Sequence, residues 1–241
     1  MSQGMSQGMG SGSIIQRQWR QAGARMLFEV SVTGLPAGDV ESETRVAIET
    51  ALHEIRTAGF DPGHLARSRL WCRDATSRRA ASDVRRDMLV GPLRSASASF
   101  FDAERLPAGS NVRIDMIAVA ADVAASVKSV REYEPAIAPP MYVAWPDVVF
   151  LSGNTDESPH FHTQVAMIRE KIDKSLQAAN ASLVDACACS VYLAKSIETS
   201  AAFERLAHHF GDLGCAIDLH TVEGYSAPAK RVEIEITALR R

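Results

Sequence analysis

The feature that most constrains how this 241-residue chain can fold is that it can be read twice. Leu27-Phe-Glu-Val-Ser-Val-Thr-Gly34 has the pattern of a strand closing on a glycine turn, and Val148-Val-Phe-Leu-Ser-Gly153 has the same pattern in the second half. A helical stripe follows in each copy, at Thr44, Ile48, Leu52 and Ile55 and again at Val165, Ile168, Ile172 and Leu176. Both helices end where Gly59 or Asn180 can adopt a left-handed cap, and both lead into strands, Ala66 to Cys72 and Ala186 to Leu193. A second helix comes next, around Ser77 to Met88 and Glu198 to Phe210, and then two more strands, the last being Val112 to Val119 and Val232 to Leu239.

With an opening strand at Ile14 to Trp19, each copy reads strand, strand, helix, strand, helix, strand, strand. That order predicts an α+β fold, a mixed sheet with two helices on one face, built twice. The expected divisions are a disordered Gly/Ser-rich tail over 1–13, an N-terminal unit over 14–130, a Pro-rich linker over 131–140 and a C-terminal unit over 141–241.

Composition narrows the function classes. The net charge of −3 lacks the basic excess that nucleic-acid binding by phosphate neutralisation requires. No apolar run reaches the roughly 20 residues of a membrane helix, and the N-terminus is not laid out as a signal peptide. The four cysteines, Cys72, Cys187, Cys189 and Cys215, form no paired framework, which fits a reducing, cytoplasmic setting. Cys187 and Cys189, two apart on a strand, are expected to point the same way and to pack as small hydrophobes.

Four segments of the second copy carry a more specific likeness. Ser152-Gly153, Leu176-Gln-Ala-Ala-Asn-Ala-Ser-Leu-Val-Asp185, Ser190-Val-Tyr-Leu193 and Val232-Glu-Ile-Glu-Ile-Thr-Ala-Leu239 resemble the corresponding segments of the Rid (YjgF-like) family. The first copy is similar through Thr33-Gly34, Ala58-Gly59, Arg105-Leu-Pro107 and Val112 to Val119. The resemblance implies tandem chorismate-mutase-like domains, clefts between neighbouring domains, a homotrimer, and hydrolysis of a small carboxylated enamine or imine with release of ammonia. It implies no metal or organic cofactor. Among relatives, the 2-aminomuconate and 2-aminoacrylate deaminases indicate the substrate kind.

Such chemistry needs a positioned water, a cation for the substrate carboxylate and a proton donor for the leaving group. By resemblance, Glu233 is the water-orienting acid and Asp115 its counterpart in the first copy. The expected substrate contacts are Tyr142, Ser152, Asn154, Thr33 as the counterpart of Ser152, and Arg94. The family arginine at the penultimate strand, which forks onto the substrate carboxylate, is absent: Ala98 and Gly214 align there. Arg94, Lys230 and Arg231 are candidates for a displaced cation. The pairs Arg78-Arg79 and Arg85-Arg86, interleaved with Asp83 and Asp87, read as a solvated helix face. His160 and His162 lack the further ligands of a zinc site. Two other functions stay open: a non-catalytic binder of small acids, and a chorismate-type lyase or hydrolase.

Overall fold

A computed structural model of the chain describes residues 6–10, 13–34, 38–120, 128–135 and 139–241. The first unit contains β1 (Ser6–Gly10), β2 (Ser13–Ala22), β3 (Arg25–Thr33), α1 (Val40–Thr57), β4 (Leu65–Cys72), α2 (Ala75–Met88), β5 (Ala96–Phe101) and β6 (Val112–Val119). The second contains β7 (Ser129–Arg131), β8 (Tyr142–Ala144), β9 (Val148–Leu151), β10 (Asn154–Thr155), α3 (Phe161–Ala178), β11 (Ala186–Ala194), α4 (Thr199–His209), β12 (Ile217–Val222) and β13 (Val232–Leu239).

Strand order establishes the duplication. The first sheet runs β1-β2-β3-β6-β4-β5 and the second, read from its β7 edge, β7-β8-β9-β13-β11-β12, with β10 added beside β13. The pairs β4–β5 and β11–β12 are parallel, and every other neighbouring pair is antiparallel. Even the irregularities repeat, because β4 bulges at Ala66 and β11 at Cys187. Gly59 (φ 87°) and Asn180 (φ 55°) take the left-handed conformation expected of them.

Two expectations differ at the edges. Of the segment 1–13 expected to be a tail, residues 1–5 and 11–12 lie outside the described residues, whereas Ser6–Gly10 pairs with β2 across a register ending at Gly10 and Ser13. The boundary expected at 130 falls inside β7, which pairs with β8 and therefore belongs to the second sheet; of the linker, 136–138 lie outside the described residues.

Each helix pair covers the outer face of its own sheet. Ile48 and Ile55 of α1 pack with Val30, Leu70 and Ile114, and Ile168 and Ile172 of α3 pack with Val191 and Ile234. All four isoleucines are fully buried, each worth about 2 kcal/mol of transfer free energy. The opposite faces of the two sheets meet each other. Leu27, Ile117, Trp145 and Phe150 form one shared apolar cluster, and Trp71, Phe100, Tyr192 and Tyr225 form another.

A buried ionic layer crosses the same interface. Arg69 reaches both Glu235 (2.7 Å) and Glu29 (3.4 Å), so it ties the first sheet to the second. Arg67 donates to the carbonyls of Leu151 and Ile236 and to the Thr237 hydroxyl. Pairing and hydrogen bonding together offset the desolvation of these charges.

Candidate active site

The seam between the units is closed by backbone contacts at the β5 edge. The Ser97 amide donates to Ser152 Oγ (3.1 Å), and the Gly153 amide donates to the Ser97 carbonyl (3.1 Å). Further along, Phe101 and Gly224 exchange two amide–carbonyl bonds. Between these two attachments the walls part, leaving a cleft of about 320 Å³ with α2 and β5 on one side and residues 153–155 and 226–233 on the other.

Glu233 lies in this cleft. The side chain is buried, and its carboxyl is pushed up to about 8, first by burial and then by the charge of Glu235 two residues along the strand; Lys230, Arg85 and Arg78 pull the other way. At neutral pH the group is a carboxylic acid with a proton to give. Gly153 makes room for it, since a Cβ there would sit 1.7 Å from Oε1.

Cations ring the acid. Arg78, Ser82, Arg85 and Leu89 line the cleft at spacings of four, three and four, so α2 turns a second, polar stripe to the seam beside its buried Ser77, Ala81 and Val84 face. Arg85 Nη1 donates to the Ala98 carbonyl (2.6 Å) and the Ser68 carbonyl (3.3 Å), and burial lowers its guanidinium to about 10. Arg78 Nη1 donates to Ser99 Oγ (2.9 Å), while its Nε is buried without a hydrogen-bond partner among the described residues. Lys230 holds Ser226 Oγ at 2.8 Å and approaches Glu157 at 3.8 Å. Part-buried guanidinium groups whose hydrogen bonds, among the described residues, go only to neutral acceptors suit carboxylates.

These positions correct several expectations. The arginine pairs of α2 are not a uniformly solvated face: Arg86 pairs with Asp83 and Asp87 in that way, but Arg78 and Arg85 enter the seam. Arg85 also brings a cation to Ala98, its guanidinium donating to that residue's carbonyl. Arg94 lines the cleft too, yet it is engaged by a two-pronged pair with Glu132 (2.8 and 2.9 Å).

Pairing register decides which residues of the two copies correspond. Asp115 lies opposite Arg69 and Arg113 opposite Trp71; Glu235 lies opposite Ser190 and Glu233 opposite Tyr192. The counterpart of Glu233 is therefore Arg113, and Asp115 corresponds to Glu235. Asp115 faces away from the cleft, accepting from Trp71 Nε1 (2.7 Å) and Arg113 Nε (2.8 Å). By the same register Ala98 corresponds to Asp218, not Gly214, whose amide donates to the Leu183 carbonyl in the loop before β12.

The remaining expected residues divide. Ser152 joins the two units and is buried beside the cleft. Asn154 donates to the Ser152 carbonyl (2.8 Å), and its Oδ1 is buried without a hydrogen-bond partner among the described residues. Thr33 lies opposite Arg113, and Thr155 opposite Glu233, so Thr155, which the sequence reading passed over, is its counterpart and lines the cleft. Tyr142 packs in the core under α3, its hydroxyl donating to the Ala178 carbonyl (3.1 Å). Cys187 and Cys189 face opposite ways, the first toward the inter-sheet cluster and the second toward the helices, because Cys187 is itself the bulged residue and breaks the alternation. His160 and His162 stack on each other, and no group of three or more His, Cys, Asp or Glu able to hold a metal occurs among the described residues. No helix among them is long and apolar enough to cross a membrane.

The fold is shared with chorismatase. The crystal structure of that enzyme matches 97% of this chain and 79% of its own with a TM-score of 0.65 at 13% identity. Similarity over part of the chain is found to Rv2704 of Mycobacterium tuberculosis, a member of the YjgF/YER057c/UK114 family (23% identity, 46% of this chain and 98% of that one, TM-score 0.41). The Rid-family protein YyfA of Yersinia pestis is similar in the same way (19% identity, 46% and 98%, TM-score 0.42). No protein-family model matches the sequence, and no curated protein matches it. The chorismatase match spans both units, so their tandem arrangement, and not only each unit, belongs to a known architecture.

Proposed function

We propose that the chain is a hydrolase that protonates an electron-rich carbon–carbon double bond in a small, multiply carboxylated substrate, with Glu233 as the proton donor. The observation that carries this reading is the buried Glu233 carboxyl, raised to about 8, in a cleft with Arg78, Arg85 and Lys230. A general acid at neutral pH must hold its proton until the transition state, and cations around it select substrates with anionic arms.

The reaction starts with the carboxylates on Arg85 and Arg78. Glu233 then gives its proton to the terminal carbon of the double bond, leaving a cation stabilised by the attached heteroatom. Water adds to the heteroatom-bearing carbon and gives up a proton to the Glu233 carboxylate, and the adduct collapses to a ketone as the heteroatom group leaves with that proton. Lys230, near the ionised Glu233, balances the charge left behind.

Of two heteroatoms, oxygen is favoured by the full-length likeness to chorismatase, giving an enol ether of the chorismate kind that yields pyruvate and a free alcohol. Nitrogen is favoured by the local likeness of Ser152-Gly153 and the last strand to Rid proteins, giving an enamine that yields ammonia. Both leaving groups share the first step. Assays for pyruvate and ammonium on chorismate and on carboxylated enamines separate them. Formation of neither product from any of these substrates by the wild-type chain would leave a binder of small acids. Both walls of the cleft come from one chain, so turnover does not require the trimer that the Rid likeness implies.

A further inference from the structure

The seam does not end at the acid. Past Ser226 and Lys230, which belong to both spaces, a second cavity of about 700 Å³ follows the N-terminal end of α2. Its apolar wall is made by Phe101, Ile197, Tyr225 and Pro228. The two aromatic residues are fixed in place. The Tyr225 hydroxyl donates to the Tyr192 carbonyl (2.7 Å), and the ring of Phe101 lies so close over Gly224 that a Cβ there would come within 2.4 Å of it. The cavity is therefore preformed, as small-molecule sites usually are.

Arg231 gives this cavity its chemistry. The backbone is anchored on both sides, its amide donating to Gln164 Oε1 (3.0 Å) and its carbonyl accepting from Ala194 (2.8 Å). The guanidinium, by contrast, has no hydrogen-bond or ion-pair partner among the described residues, unlike those of Arg78, Arg85 and Arg94. Glu223, the one acid among the described residues of the wall, faces Lys195 at 3.7 Å. A half-buried, uncommitted guanidinium against fixed aromatic and aliphatic walls matches a ligand with one carboxylate and a flat hydrocarbon body.

We propose that this cavity is a second acid-binding site, distinct from the cleft of Glu233, which takes a monocarboxylate bearing a planar ring. The carboxylate lies on Arg231 and the ring between Phe101, Ile197 and Tyr225. The inference does not depend on the proposed reaction, and it is tested without turnover.

Calorimetric titration of the full chain with benzoate, and with benzamide as a neutral isostere, provides the test. Benzoate should bind, and Arg85→Met, which disables the first cleft, should retain that binding with one site. Adding Arg231→Met to that Arg85→Met variant should weaken the remaining binding at least about tenfold, with partial recovery when Arg231→Lys is added instead. Benzamide should not compete. In parallel, benzoate should shift the Ile197 methyl resonance of the wild-type protein, a readout that holds even if the Arg231 variants fold poorly. Absence of benzoate binding, binding lost in Arg85→Met but kept in Arg231→Met, competition by benzamide equal to benzoate, or an unmoved Ile197 resonance would each overturn the proposal.

Discussion

Gly153 and Glu233 occupy one another's space: a Cβ on the glycine would lie 1.7 Å from Oε1 and 2.5 Å from the carboxyl carbon of the acid. The absence of a side chain after one strand is what admits the Glu233 carboxyl from another. Gly153→Ala should therefore turn the carboxyl aside and leave the backbone in place. Turnover is expected to fall at least about tenfold, while the melting temperature stays within a few degrees of wild type; a loss of folding in parallel with activity would contradict the assignment.

Glu233→Gln removes the transferable proton and keeps the shape. Loss of a general acid is worth roughly a hundredfold or more in kcat. In the wild type the rate should fall as pH rises through about 8, where Glu233 loses its proton, and that limb should be missing from whatever activity the variant keeps.

The same shift has a stability consequence of opposite sense to an ion-paired carboxylate. Between the ordinary glutamate value and about 8, the unfolded chain has lost this proton and the folded chain has not, so raising the pH over that interval weakens the native state. Glu233→Gln escapes the effect. Its melting temperature relative to wild type should grow from pH 5 to pH 8 and then level off, as read by thermal unfolding in a series of buffers.

Among the described residues Arg85 is held by the carbonyls of Ala98 and Ser68 and has no paired carboxylate. Arg85→Met should raise KM at least about tenfold, with a smaller change in kcat, if it binds substrate and transition state alike. Arg85→Lys should recover only part of the loss, since one ammonium cannot reproduce a forked contact.

Asp115 and Arg69 test the two halves of the inter-sheet layer. Asp115→Asn should leave kcat within about threefold of wild type, because its carboxylate serves Trp71 and Arg113 and not the cleft. Arg69→Met strips Glu235 of its closest cation and should cost about 3 kcal/mol in a denaturant titration.

Local physics made much of the architecture legible. The apolar stripes of α1 and α3, the left-handed caps at Gly59 and Asn180 and the alternation of β6 and β13 each depend on residues a few positions apart, so sequence alone determined the doubled α+β unit. Glu233 is also legible in the sequence, through the likeness that the last strand shares with three other segments. What tertiary structure decided was which distant groups meet. Arg85 looked like surface charge because helical periodicity marks only the stripe that faces the sheet; docking of the second unit buries another. Asp115 was paired with the wrong acid, and Cys187 with the wrong face, because a bulge and a register are settled by hydrogen bonding across strands, which local spacing does not record. The cleft exists only where the edge of one unit lies against the strand end of the other, and that contact is made by segments more than fifty residues apart, Ser97 with Ser152.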